Sequence, residues 1–189
     1  LMAKSDKIQE IKCEDLSKKL KLPKFYIYHM AKIQQFYFNI LGIAKDKFRF
    51  RELDENERAF YNKIHFDMEV DIETLSGFKE LGGLHYRTDH DLEGHARISK
   101  EKLEITYNEK KFIPHVLELS FGVDRTLWAL LDLNFIQEND RTSFRFNKNI
   151  APIEVSIFPL LNKDGLPEKA DKVYELLKNN FVTSFDSSG

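Results

Sequence analysis

The sequence of 189 residues has a single cysteine, Cys13, and therefore cannot form an internal disulfide. It contains no apolar run close to the roughly 20 residues that a membrane-spanning helix needs. Its first residues, LMAKSDKIQE, lack the layout of a secretory signal. These absences predict a protein of the reducing cytoplasm with no membrane partner.

An excess of charge of one sign is also absent. Lys and Arg together number 29 against 31 for Asp and Glu, which gives a formal net charge of −2. Bulk charge therefore supplies no argument for a nucleic-acid partner, although a local basic surface stays open. The GxxxxGK[ST] phosphate loop, the GxSxG elbow and the GxGxxG fingerprint do not occur. The sequence therefore lacks the usual signatures of P-loop enzymes, of α/β-hydrolases and of dinucleotide-binding enzymes.

The chain does contain enough apolar sequence for a core, with 42% hydrophobic and 13% aromatic residues. Helical patterns come first, at residues 6–20 and 27–41, with Gly42 as a stop. The period then shortens to two. Strands are predicted from residue 47 onward and at 65–72, 77–81, 103–107 and 113–120, with a loop, RTDHDLEGH, at 87–95 and a helix at 123–133. Strands without intervening helices favour a largely antiparallel sheet and the α+β class.

After the polar stretch QENDRTSFR the pattern changes, and we place a domain boundary near Asn149, with domains at residues 1–149 and 150–189. The pattern of residues 150–189 predicts a strand at 154–158, a helix at 166–179 and a strand at 181–185. This order is a βαβ unit, which implies parallel strands. Because the chain closes directly after that last strand, we expect it to be part of a longer protein.

The segment VLELSFGVDR carries the sharpest signal. Arg125 falls in the first turn of a predicted helix, where the helix dipole disfavours a cation, so that a bound polyanion could compensate. The alternative is an Arg125 that pairs with Asp124 or lies in solvent. Glu118 and Ser120 share one face of the preceding strand, because side chains alternate. At the end of a central strand they would bind an ammonium group, whereas at a sheet edge Glu118 would be solvated.

A second signal is GFKELGGLHYRTDHDLEGH. Glu80 lies in a predicted strand and is followed by Gly82 and Gly83, which let a backbone or a ligand approach closely. An inward carboxylate at this point could ligate Mg²⁺ on nucleotide phosphates.

The same segment holds three histidines, His85, His90 and His95. Their spacing matches neither a helical pair nor a knuckle, so a zinc site is not expected. Together with Asp89 and Asp91 they are predicted to be hydrogen-bonding residues of a loop.

Four segments, in order, resemble glycyl-tRNA synthetase of the archaeal and eukaryotic type, a class II aminoacyl-tRNA synthetase. They are FRFRELDENERAFYNKIHFD, GFKELGGLHYRTDHDLEGH, FIPHVLELSFGVDRTLWALLD and the pair VSIFPLL and FDSSG. The resemblance implies that residues 1–149 are the C-terminal part of an antiparallel-sheet catalytic domain. Residues 150–189 would be the beginning of a truncated α/β anticodon-binding domain.

By resemblance, VLELSFGVDR is the third class II motif, in which Arg125 is catalytic and clamps the phosphates of ATP. Glycine is bound at Glu118, Leu119 and Ser120, with its amino group held by the acid and the hydroxyl. Glu80 and Leu81 contact ATP, and Glu80, also catalytic, acts through Mg²⁺. The implied reaction forms glycyl-adenylate and transfers glycine to tRNA-Gly, so catalysis depends on positioning and charge neutralisation.

Two departures from the family pattern matter. Relatives often read E-P-S where this chain has Glu118-Leu119-Ser120. The first and second class II motifs are not found, since Phe50-Arg51-Glu52 has its Glu directly after the Arg. The N-terminal half of the catalytic domain is therefore expected to be missing from this chain and to be its partner, the chain being either a fragment or one half of a split enzyme.

The absent motifs lead us to expect no activity from this chain alone, and a homodimer only in the complete enzyme. Two alternatives stay open. One is a non-catalytic accessory or binding subunit related to class II synthetases. The other is an α+β domain whose polar residues are purely structural.

Overall fold

A computed structural model describes residues 8–188 of the chain, which forms two compact units, Leu1–Arg145 and Phe146–Gly189. The domain identities predicted for residues 1–149 and 150–189 remain predictions. No helix within the described range is long and apolar enough to cross a membrane.

The first unit is built around one antiparallel sheet with helices, which agrees with the predicted α+β class. Its helices are α1 (Cys13–Lys19), α2 (Lys24–Gln35), α3 (His90–Ser99) and α4 (Val123–Asn134). Its strands are β1 (Phe48–Glu52), β2 (Ile64–Ile72), β3 (Gly77–Thr88), β4 (Ile105–Tyr107), β5 (Lys110–Phe112), β6 (Val116–Phe121), β7 (Phe135–Glu138) and β8 (Arg141–Phe144). The main sheet has the order β1-β2-β3-β6, and β4–β5 and β7–β8 form separate antiparallel pairs.

Helix α2 covers the apolar face of this sheet. Tyr26, Met30, Ile33 and Tyr37 recur at helical spacing and are all at most 3% exposed. The helix continues into a π-helical turn and stops at Gly42, which has a φ of 75°, as the stop signal predicted. The Tyr26 hydroxyl donates a hydrogen bond of 2.6 Å to the carbonyl of Leu84, which ties the helix to β3.

The C-terminal half of helix α4 is held by the turn between β2 and β3. The Asp132 carboxylate accepts hydrogen bonds from the backbone N–H groups of Glu73 and Thr74, at 3.0 and 3.1 Å. The Trp128 indole donates to the Thr74 hydroxyl at 3.0 Å. These bonds orient the helix whose first turn carries Arg125.

Four sequence-based assignments differ from the structure. Strand β3 runs through Gly82 and Gly83 to Thr88, and the segment expected to be a loop begins helix α3 at His90. Asp91 and Glu93 lie in the first turn of that helix, where acids are favoured by the dipole. The polar stretch after residue 137 forms the β7–β8 hairpin, and the predicted helix at 6–20 is shorter, with residues 6 and 7 outside the described range.

Gly82 lies where β3 passes close to β6. A Cβ at this position would lie 2.2 Å from the Ser120 carbonyl oxygen and 2.7 Å from Met68 Cε. The pairing of β2 with β3 shifts at the same place, between Met68 and Glu69, so that Leu81 bulges out of the ladder. Gly82 thus lets a backbone approach closely, as its position in the sequence suggested, but it does so inside the strand and not after its end.

The second unit contains β9 (Val155–Ile157), α5 (Leu166–Leu177) and β10 (Thr183–Phe185). The two strands pair in parallel, which confirms the predicted βαβ order with shorter elements. Ile157 and Ala170 are buried, and the rings of Tyr174 and Phe185 are 5.7 Å apart, so the helix packs on the strand pair.

We expect Gly82→Ala to destabilise the first unit by about 3 kcal/mol, because its methyl group would overlap backbone that cannot move alone. Gly94→Ala is the matched control. Nothing lies within 4 Å of a Cβ at Gly94, and this helical site should gain about 0.5 kcal/mol. Urea unfolding followed by circular dichroism measures both changes, and equal midpoints for the two variants would show that the close approach of β3 to β6 is wrong.

Candidate functional site

The second face of the main sheet carries charged and polar side chains instead of apolar ones. Along β2, Phe66, Met68 and Val70 are fully buried, while Asp67 and Glu69 between them are only 5% and 7% exposed. The apolar set faces α2, as the ring contact of 6.0 Å between Tyr26 and Phe66 shows. Buried carboxylates are stable only when they are paired, so the opposite face needs cations.

Two arginines of β1 supply them. Arg49 Nε lies 2.5 Å from one oxygen of Glu69, and Arg51 Nε lies 3.1 Å from the other. Arg51 Nη2 is also 3.2 Å from Asp67 Oδ2. The Arg49 guanidinium lies 4.0 Å above the ring of Phe78. Both oxygens of Glu69 are thus paired, and the charged face is closed at its β1 side.

Arg87, on β3, is a central residue of this face that the sequence analysis did not single out. Its Nε and Nη2 bond both oxygens of Asp91, at 2.6 and 2.8 Å, and its Nη1 donates to Glu118 Oε2. These hydrogen bonds, first the one to Asp91 and then the one to Glu118, raise the pKa of Arg87 and keep it charged. The available signal was the Arg87–Asp91 spacing of four residues, which places the pair across the strand–helix junction.

Glu118 and Ser120 lie on one face of β6, as their spacing predicted, opposite His85 and Gly83 respectively. The Ser120 hydroxyl accepts from the Gly83 N–H at 3.3 Å. Within the described residues β6 is the outermost strand of its sheet, which is the position that the sheet-edge alternative expected. Glu118 is nevertheless not a solvated carboxylate, because Arg87 holds one of its oxygens.

Leu119 faces the other way. It pairs with the buried Leu84, and its own side chain is 38% exposed on the α2 side of the sheet. Its predicted part in glycine binding could therefore come only from its backbone.

Arg125 and Glu80 are brought together although they are far apart in sequence. Arg125 Nη1 lies 3.2 Å from Glu80 Oε2 and also 3.2 Å from the Glu80 carbonyl oxygen. Arg125 therefore pairs with Glu80, and not with Asp124 as the alternative hypothesis suggested. The side chains are 63% and 49% exposed, so the expectation of an inward Glu80 is wrong.

Leu81 is buried at 1% exposure, and its carbonyl accepts a hydrogen bond of 2.7 Å from the N–H of Gly122. This bond connects β3 to the start of α4 and so positions Arg125. The side chain of Leu81 belongs to the core, and any contact of this residue with ATP would have to be made by its backbone.

No group of three or more His, Cys, Asp or Glu side chains within residues 8–188 could hold a metal ion. Glu80 offers a single accessible carboxylate. Since Mg²⁺ prefers six oxygen ligands and commonly takes several from phosphates and water, Glu80 fits a shared role on bound nucleotide and not a site of its own.

Two imidazole rings fill the middle of the charged face. His65 and His85 have ring centroids 4.0 Å apart, and His65 Nε2 lies 3.1 Å from Asp67 Oδ1 without hydrogen-bonding geometry. His85 contacts Asn62 at 3.1 Å and Ser120 at 3.3 Å. Burial, and then the neighbouring His65, lower the pKa of His85, so its ring is neutral at physiological pH.

A cavity of about 640 Å³ lies elsewhere, between α2, β1 and the segment before α1, with Met30, Phe48 and Arg49 in its wall. It contains none of the residues predicted to bind ATP or glycine.

The Arg87–Asp91 pair yields a pH prediction. The hydrogen bond from Arg87 lowers the pKa of Asp91 in the folded state. The stabilisation is therefore present at neutral pH and is lost as the pH falls from about 4 through the folded-state value. Arg87→Met should raise the Asp91 pKa toward that of an ordinary carboxyl group, whereas Arg97→Met, on the exposed side of α3, should leave it low. Carboxyl-carbon NMR titration of Asp91 checks this, and an unchanged value in Arg87→Met would contradict the pairing.

No protein-family model matches the chain. It is similar to curated proteins named glycine–tRNA ligase. It is 35% identical over 174 residues to that of Borrelia hermsii, which covers 87% of this chain and 39% of the relative. The values are 34% over 165 residues for Treponema denticola (81% and 36%) and 36% over 171 residues for Ureaplasma parvum (85% and 35%). The chain thus spans less than two-fifths of the length of these relatives, and over most of its own length it is similar to a part of glycine–tRNA ligases.

Proposed function

We propose that the chain is part of a glycine–tRNA ligase that activates glycine with ATP and transfers it to tRNA-Gly. The observation that carries the proposal is the similarity over 87% of the chain to a relative of that name. The charged face of the sheet supports it, because it combines a site for an ammonium group with an accessible arginine at the start of α4.

The ammonium site is formed by Glu118 and Ser120. Arg87 engages Oε2 of Glu118, which leaves Oε1 for a second cation. The Glu118 side chain is 36% exposed, so a small ligand can reach it. A carboxylate and a hydroxyl on one face accept two of the three N–H groups of an ammonium, and these charge-assisted bonds would fix the amino group of glycine.

The phosphate site is formed by Arg125. Its pair with Glu80 is exposed, and exposed ion pairs contribute little to stability. Arg125 can therefore exchange Glu80 for phosphate oxygens at little cost, and the freed Glu80 carboxylate would then be available to hold Mg²⁺, which would supply charge neutralisation. Arg125 holds the phosphates of ATP in place while the glycine carboxylate attacks the α-phosphate and pyrophosphate leaves, so no protein nucleophile is needed.

The finer assignments belong to the same proposal. The first unit would be the C-terminal part of a class II catalytic domain of the archaeal and eukaryotic type, and the second the beginning of an anticodon-binding domain. The complete enzyme would be a cytoplasmic homodimer in which a further polypeptide segment supplies the first and second class II motifs.

Glycine-dependent exchange of pyrophosphate into ATP tests the function. We expect no exchange with this chain alone and clear exchange when it is mixed with a polypeptide that supplies the two absent motifs. Activity of the chain alone would refute the need for that segment. Silence of both samples, each shown to be folded, would favour a non-catalytic accessory subunit.

Arg125→Ala should weaken ATP binding by about tenfold or more, since charged hydrogen bonds to phosphate are lost. The urea midpoint should not change, because the side chain is 63% exposed. Arg97→Ala on α3 is the matched control and should alter neither quantity. Unchanged nucleotide affinity with an unchanged midpoint would remove Arg125 from the site.

Glu118→Gln should raise the KM for glycine by about tenfold and leave the KM for ATP nearly unchanged, because an amide lacks the charge that attracts an ammonium group. The exposed Glu104→Gln is the control for a change of net charge. Equal increases in both KM values would show that Glu118 does not bind the amino group.

A further inference from the structure

The side chains of Asn62, His85 and Ser120 form a hydrogen-bonded row, termed here the His85 row, that leads into the proposed glycine site. Asn62 Nδ2 lies 3.1 Å from His85 Nδ1, and His85 Nε2 lies 3.3 Å from Ser120 Oγ. Asn62 is 4% exposed, so its amide is held inside the protein. Three segments that are distant in sequence thus meet at one hydroxyl group.

The row determines which ring nitrogen of His85 carries the proton. An amide nitrogen only donates, so Nδ1 of His85 must accept, and the proton of the neutral ring is on Nε2. Nε2–H then donates to Ser120 Oγ. Asn62 therefore decides the direction of the hydrogen bond at Ser120 without contacting it.

The ring is also fixed by packing. A Cβ at Gly83 would lie 2.4 Å from His85 Nε2 and 3.1 Å from His65 Nε2, so the imidazoles lie directly against the backbone of β3. The His65 ring also lies against His85, with a centroid distance of 4.0 Å and the two ring planes tilted by 39°. His85 consequently has little freedom to turn away from Ser120.

This geometry prepares the hydroxyl to accept. With His85 donating to it, Ser120 directs its own hydrogen to the Gly83 carbonyl, at 3.4 Å. The remaining donor is the Gly83 N–H at 3.3 Å. An ammonium group is a charged donor and forms a stronger hydrogen bond to a hydroxyl than a neutral backbone N–H does, so it can replace this bond.

We propose that His85, oriented by Asn62, is a positioning residue that holds the Ser120 hydroxyl as an acceptor for the amino group of glycine. The proposal rests on the proposed function for the identity of the ligand. His85 does not touch glycine in this scheme, since it acts through Ser120.

The scheme requires a neutral ring, because a charged His85 would repel the ammonium group and could not accept from Asn62. The groups that face His85 are His65 and Asp67 on β2, Glu118 on β6 and Arg87 on β3 itself. Asp67 and Glu118 favour the charged ring, whereas burial, His65 and Arg87 oppose it. The pKa of His85 lies below the usual histidine value of about 6.5. The KM for glycine should thus rise as the pH falls through this lowered pKa.

The first test is the tautomer in the ¹⁵N-labelled chain. Long-range ¹H–¹⁵N correlation should show the Nε2–H form of His85 at neutral pH, and Asn62→Ala should convert it to a mixture. The Nδ1–H form in the unaltered chain would overturn the proposal, whatever the enzymatic result.

The second test uses the exchange assay with the complementing polypeptide. His85→Ala should raise the KM for glycine by about tenfold, the effect of one lost hydrogen bond, and leave the KM for ATP unchanged. His85→Gln, whose amide keeps an N–H donor, should restore most of the affinity and abolish the pH dependence. His95→Ala, on the exposed side of α3, is the control histidine and should behave as the unaltered protein.

The outcomes separate this proposal from the function on which it rests. Equal increases in both KM values for His85→Ala, or no change in either, would overturn the positioning role while the exchange activity stands. A complete absence of exchange in the unaltered mixture would remove glycine as the ligand and overturn both.

Discussion

The sheet of the first unit depends on a pairing of buried charges. Asp67 and Glu69 are buried on the strand that also carries the fully buried Phe66 and Met68. Such carboxylates destabilise a fold unless cations meet them, and here Arg49 and Arg51 do so from the neighbouring strand. A slip of one residue between β1 and β2 would turn arginines toward α2 and phenylalanines toward the carboxylates. Charge and apolar packing therefore specify the same register.

Strand β3 carries that order to the candidate site. It pairs with β2 on one side and with β6 on the other, and it contributes Glu80, His85 and Arg87 to one face. Gly82 and Gly83 lie between these residues because backbone and imidazole leave no room for a Cβ there. The same strand thus brings a carboxylate to Arg125 and a guanidinium to Glu118, at two ends of one surface.

The electrostatic arrangement of this surface is asymmetric in a way that suits a ligand with an ammonium end and a phosphate partner. At Glu118 the acid is only partly occupied by Arg87, and a hydroxyl lies two residues further along the strand. At Arg125 the cation is held by an exposed and readily exchanged carboxylate. Both features lie on segments within the region that is similar to glycine–tRNA ligases, and the proposed function rests on them together.

Several elements could be predicted from local patterns. The α2 stripe, the stop at Gly42, the βαβ order after residue 150 and the shared face of Glu118 and Ser120 all follow from periods of 3.6 and 2. Other features could not. The strand was predicted to end at residue 81, although Gly82 and Gly83 were correctly expected to let a backbone approach, and only the tertiary structure identifies that backbone as β6. The histidine-rich segment was expected to be a loop. Acidic residues such as Asp91 and Glu93 are common both in turns and in the first turn of a helix, so their presence does not distinguish the two.

The sequence by itself therefore determined several of the helices and strands and the residue types that could carry chemistry, because periodicity and turn chemistry are local properties. Only the tertiary structure decided the partners: Glu80 for Arg125, Arg87 for Glu118, and Asn62 with His85 for Ser120. These pairs are separated by 23 to 45 residues, and no local pattern encodes a contact that depends on strand order, register and a bulge.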